Sequence, residues 1–246
     1  MSDNMWTRSV AANSFTVIDV KQTFFTLIPS RFPTIDVFAR VANGRSRELA
    51  EIESLTNPRL KDRERILRGG ATIVDDNAPL LQNWNHAPFT YHNPEGSRFF
   101  GPENPVLELF SDIQTALSVS IWKRERFLLR TGEAPIGLEM RELSRTVKGR
   151  FVDGRDWDPD LDIDTRYKRG RQIMDAGFDG LLYRPPERGA GFCVCVLRGE
   201  VLDRAVQGNH FKFVWDGKLI SRIYSFGSGK EYVPDDLRSS EIVIAA

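Results

Sequence analysis

An α+β fold is predicted by three features of the sequence: apolar runs with period-two alternation, a few helical segments set irregularly between them, and a C-terminal hairpin signature. No regular strand-helix alternation of a βαβ repeat is visible, so mixed and mainly antiparallel strands with a few flanking helices are expected.

The elements follow in order. Residues 1–20 read as a lead-in, and residues 22–29 (QTFFTLIP), rich in Phe, Thr and Ile, as the first strand. Leu49, Ile52 and Leu55 fall at helical spacing behind Ser46, and Asn57-Pro58 stops that helix. Residues 61–88 are irregular and read as a long loop holding a strand-like ATIV. FTYHNPEGSRFFGPENPVLELF then gives strand, turn and strand. Ser111-Asp112 caps a helix whose Ile113, Ala116, Leu117 and Ile121 share one face, while Lys123, Arg124 and Arg126 read as its solvated side. Further strands are expected at GLEMREL, GRFVDG, DGLLYR and FCVCVL, with a helix over residues 164–176 ended by Gly177. In FKFVWDGKLISRIYSF, Asp216-Gly217 is a type I′ turn pair, and Phe211, Phe213 and Trp215 line one flank. No linker composition divides residues 21–246, which are therefore expected to form a single domain.

Composition narrows the function. The 34 basic residues balance 34 acidic ones, so no whole-molecule field favours nucleic acid or an anionic membrane. No apolar run reaches the roughly 18 residues of a spanning helix, and the first residues lack the apolar stretch of a signal peptide, which predicts a cytoplasmic protein. Cys193 and Cys195 point to one side of a strand and read as buried structural thiols. His86, His92 and His210 have no carboxylate at ligand spacing, so no metal is expected.

Glycine-rich phosphate loops and nucleophile elbows are absent. Glu103, Glu108, Glu125, Glu139, Glu142 and Glu187 read as surface carboxylates, and no catalytic residue is assigned from spacing. Arg31 (PSRFP) and Arg98 (GSRFF) stand apart from these. Each lies in a turn beside phenylalanine, where a planar fork of donors suits a phosphate and the rings suit a base or nicotinamide.

Those turns also carry a resemblance. Ser30-Arg31-Phe32-Pro33, Leu55-Thr56-Asn57-Pro58-Arg59-Leu60, Asn93-Pro94-Glu95-Gly96-Ser97-Arg98-Phe99 and Arg124-Glu125-Arg126-Phe127-Leu128 resemble the RES domain in order and spacing. GFDGLLYRPPERGAGFCVCVLR and FVWDGKLISRIY extend the likeness. The resemblance implies a fold similar to ADP-ribosyltransferases and the toxin role of a bacterial toxin-antitoxin pair, with an Xre-like antitoxin as partner. Active members break the nicotinamide-ribose bond of NAD by hydrolysis or phosphorolysis. Arg31 and Arg98 match the family's arginines, and Ser97, Phe99 and Tyr183 complete the expected NAD-binding set.

The chemistry positions depart from the family pattern. Where the family's helix carries a glutamate in T-A-I-A-E, this chain has Thr115-Ala116-Leu117-Ser118-Val119. The serine expected after the strand tyrosine falls at Pro185, and a further tyrosine at Leu107 or Glu108. Two expectations follow: catalysis rebuilt on a replacement carboxylate, Glu108, or an inactive member kept for nucleotide binding or protein interaction.

Overall fold

Alternating burial along Thr16–Pro29 shows how the sheet is organised: one set of side chains faces a helix and the other an inner packed core. This strand, β2, follows β1 (Arg8–Val10) in a computed structural model that describes residues 8–10, 15–29, 88–89, 93 and 95–244. Then come β3 (Leu107–Phe110), α1 (Ile113–Thr131), β4 (Ile136–Asp153), α2 (Ile163–Asp175), β5 (Gly180–Tyr183), β6 (Cys193–Val196), β7 (Val206–Trp215), β8 (Ile220–Ser225), β9 (Glu231–Tyr232) and α3 (Pro234–Arg238).

Among the described residues the strands form a nine-stranded mixed sheet in the order β1-β2-β3-β6-β5-β4-β7-β8-β9, and the fold is α+β as the sequence predicts. β2 also pairs with β4, from Val17 opposite Val152 to Pro29 opposite Met140, so β2, β3, β6, β5 and β4 close into a ring. Phe24, Leu109, Val147, Phe151, Leu182 and Val194 fill its inner side. On the outer side, Leu181, Tyr183, Cys193 and Cys195 pack with Phe110 and α1. β4 and β5 are the one parallel pair among the described residues.

Four expectations change in detail. The first strand starts at Thr16, because Val17, Ile18 and Val20 are buried against β4, so the lead-in contributes strand structure. GLEMREL and GRFVDG are halves of one strand, β4; the polar stretch between them is held extended by β2. The β7-β8 connection has four residues, 216–219, where a two-residue turn was expected. There Asp216 accepts from the N–H groups of Lys218 (2.8 Å) and Leu219 (2.9 Å), and this side-chain turn replaces the two-residue geometry. Lys123, its side chain 41% exposed, and exposed Arg126 keep to the expected solvated face, but Lys123 also bonds Glu108 and Arg126 stacks on Trp122 with 4.6 Å to the ring centroid.

The other readings find their elements. Asp112 caps α1 by accepting from the Thr115 N–H (2.8 Å), and Ile113, Ala116, Leu117 and Ile121 are buried. Phe211, Phe213 and Trp215 line the core. The helix expected after Ser46, the 61–88 loop and Arg31 lie outside the described residues. Among the described residues no helix is long and apolar enough to cross a membrane.

Candidate functional site

The turn before β3 builds one wall of a cleft. Asn93 accepts from the Glu95 N–H (3.1 Å), and Gly96, at φ 65°, takes a left-handed conformation in which a Cβ would lie 2.8 Å from the Phe100 carbonyl oxygen. Ser97 Oγ accepts from the Phe100 N–H (3.2 Å), so this serine holds the turn rather than lining the cleft. Thus fixed, Phe99 packs on Tyr183 and Trp157 with ring centroids 5.1 and 5.6 Å away. The Arg98 guanidinium lies 6.0 Å from the Tyr183 ring centre.

Helix α2 supplies the opposite wall. Gly170 lets it approach, since a Cβ there would fall 2.0 Å from the Phe99 carbonyl oxygen. Arg98, Phe99, Trp157, Arg166, Tyr183 and Arg184 line a shallow depression open to solvent. Arg98 donates to Glu187 (3.0 Å) and Arg184 to the Gly189 carbonyl (3.0 Å), while Arg166 Nε is buried and meets no acceptor among the described residues. Arg169 stacks over Trp157 at 4.4 Å.

Glu108 lies beyond Tyr183. Its register opposite Cys195 turns the side chain to the outer face, where one carboxylate oxygen accepts from the Tyr183 hydroxyl (3.1 Å) and the other from Lys123 of α1. The Cys195 thiol lies 3.9 Å from the same carboxylate. Burial pushes the Glu108 carboxyl up, but the Lys123 charge and hydrogen bond, the Tyr183 hydroxyl and the Arg98 charge hold it below its ordinary 4.5. Burial, then Glu108 as counter-charge, act oppositely on Lys123, whose net shift is upward. Burial, reinforced by their neighbours, raises both the Tyr183 phenol and the Cys195 thiol well above their usual values. The charged groups at this point are therefore Glu108 and Lys123.

This overturns the surface reading for three carboxylates. The side chains of Glu108 and Glu187 are 11% and 8% exposed and ion-paired, and Glu142 is buried, accepting from the Asn209 N–H (3.1 Å). Donor atoms of Glu108, Cys193 and Cys195 lie within 4.8 Å of one another, a spacing a metal could use, although Lys123 already supplies the positive charge at Glu108.

Of the positions where the resemblance implies a glutamate and a serine, Val119 is buried in the core one helical turn before Lys123. Pro185 starts a turn by accepting from the Arg188 N–H (3.1 Å). Arg98, Phe99 and Tyr183 thus meet as the sequence suggests, whereas Ser97 stands behind them. Trp157, Arg166, Arg184, Glu187 and Lys123 are additions that local sequence did not mark. The lone tryptophan in Asp156-Trp157-Asp158-Pro159 was the one available signal, a large ring in a polar loop.

Together these features define an α+β protein with an arginine-rich, aromatic-walled cleft and a partly buried, ion-paired carboxylate behind it. The RES domain family model matches residues 78–216, more than half of the chain and the whole span from Arg98 to Arg184. The chain belongs to the RES-domain family. A protein of Sinorhizobium fredii (strain NBRC 101917 / NGR234), named uncharacterized protein y4oC, is 46% identical over 230 residues, covering 93% of this chain and 98% of that protein.

Proposed function

We propose that this RES-domain protein binds NAD in the Arg98–Tyr183 cleft and cleaves the nicotinamide-ribose bond, with Glu108 as the carboxylate that stabilises developing positive charge on the ribose. The observation that carries the reading is the Tyr183 bridge: its ring lines the cleft while its hydroxyl donates to Glu108, so an ionised carboxylate stands one hydrogen bond from the ligand space.

Arg98 and Arg166 supply donors for the pyrophosphate, and Arg31 is assigned there by family resemblance. Phe99, Trp157 and Tyr183 supply the wall for nicotinamide. The C1′–N bond breaks with its electron pair leaving on nicotinamide, which loses its positive charge. The ribose centre then takes an oxygen from water or phosphate. Family membership supports a toxin role in a toxin-antitoxin pair, restrained by an Xre-like partner and acting in the cytoplasm.

Lys123 favours a second reading, NAD binding without turnover, because its ammonium offsets the Glu108 charge, and Val119 leaves α1 without a carboxylate at the family position. Release of free nicotinamide, measured with and without phosphate, separates the two. Expected is release by the parent protein and a loss of at least about 100-fold in Glu108→Gln, with NAD affinity within a few-fold of the parent. Binding without release by the parent protein establishes the second reading.

A further inference from the structure

On the inner side of the ring, away from the cleft, β4 buries a cation two of whose nitrogens have no acceptor among the described residues. Arg145 is 2% exposed, and neither its Nε nor its Nη1 meets an acceptor. It shares the alternation of Val147 and Phe151 and stands opposite Phe24 of β2. One step along the same face, Gln22 stands opposite Val147, and its amide oxygen is also buried and unpartnered. One step the other way, Thr26 stands opposite Leu143. Arg141, further along this face, donates from Nε to His210 (3.2 Å).

A desolvated guanidinium without a counter-charge is among the costliest arrangements in a protein interior. Burial pushes Arg145 down to about 10, which leaves it protonated at neutral pH. The adjacent acidic side chain in β4, Glu142, has the opposite alternation and is engaged by Asn209. A small oxyanion answers every open group at once, because its oxygens accept from Arg145 and a protonated oxygen donates to Gln22.

We propose that this inner face is a binding site for inorganic phosphate, held by Arg145 with Gln22 and Thr26 beside it. The low exposure of Arg145 favours a small free ion over a nucleotide or phosphopeptide. The site lies on the opposite side of the sheet from the NAD cleft and does not depend on that reading.

The test is calorimetric titration of inorganic phosphate at constant ionic strength into full-length Arg166→Ala protein, where one of the two open donors beside the cleft is gone and the other, on Arg169, is common to every variant compared. Phosphate should bind this protein, and adding Arg145→Met should weaken it at least tenfold. Arg145→Lys, which keeps the charge without the planar donors, should fall between the two and carries the comparison if the Met variant does not fold. Absence of phosphate binding in the Arg166→Ala protein, or equal binding after Arg145 is replaced, overturns the proposal. Adenosine monophosphate binding as tightly as phosphate and in the same Arg145-dependent way overturns the preference for the free ion.

Discussion

Glu108 takes its state from residues 15 and 75 positions away in the chain, Lys123 and Tyr183. Its surroundings make a pH prediction whose sign is fixed. The folded protein holds this carboxyl below 4.5, so the stability it contributes is present above the unfolded value and is lost as pH falls through the lower folded one. Thermal melts of the parent protein and Glu108→Gln should differ most near neutrality, with the parent more stable, and converge as pH drops below 4.5. A gap that stays constant down to pH 3 counts against an ionised, paired Glu108. Arg98 was legible in the sequence because a turn with Gly96, Ser97 and two phenylalanines constrains a side chain locally. Glu108 was marked only through the family resemblance, and its pairing with Lys123 was not legible, because spacing along a strand says nothing about which helix residue comes to meet it.

At the scale of elements, the contact between α2 and the Phe99 turn joins packing to the cleft. A helix-interior glycine replaced by alanine would ordinarily gain about 0.8–1 kcal/mol of helix propensity. At Gly170 the added carbon meets a backbone oxygen at 2.0 Å, which no side-chain rotation relieves. Gly170→Ala is therefore expected to lose about 1–3 kcal/mol net in chemical denaturation, and to weaken NAD binding by shifting Phe99 and Arg98. Stability equal to or above the parent's would show that α2 does not set the cleft. Elements with local signals were read well: the Asp112 cap, the end of α2 at Gly177 and the Phe211, Phe213, Trp215 flank all depend on near neighbours in sequence. The unity of β4 was hidden because Ser144, Arg145, Thr146 and Lys148 read as a polar break, and only pairing with β2 keeps them extended. The α3 helix spans only Pro234–Arg238, too short for a periodic signal.

For the whole molecule, the α+β class followed from element types, but the closed ring did not, because ring closure depends on pairings between distant segments. Nothing near Val17 in the sequence points to Val152, nor does the strand at Gly180 reveal that it runs parallel to β4. That topology also has a consequence for the order of synthesis. β2 leaves the ribosome roughly 110 residues before the first of its β4 partners, a wait on the order of ten seconds at typical elongation rates. Through that interval Phe24 and Leu27, buried in the finished protein, belong to a strand whose main partner does not yet exist. Nascent chains arrested before residue 136 should therefore be protease-sensitive and bound by holding chaperones, while chains arrested after residue 225, once clear of the exit tunnel, should resist protease. Equal protease resistance at the two lengths would mean that the N-terminal strand finds shelter without β4. The long central strand thus makes folding wait for the middle of the message to be read, however early the first strand is made.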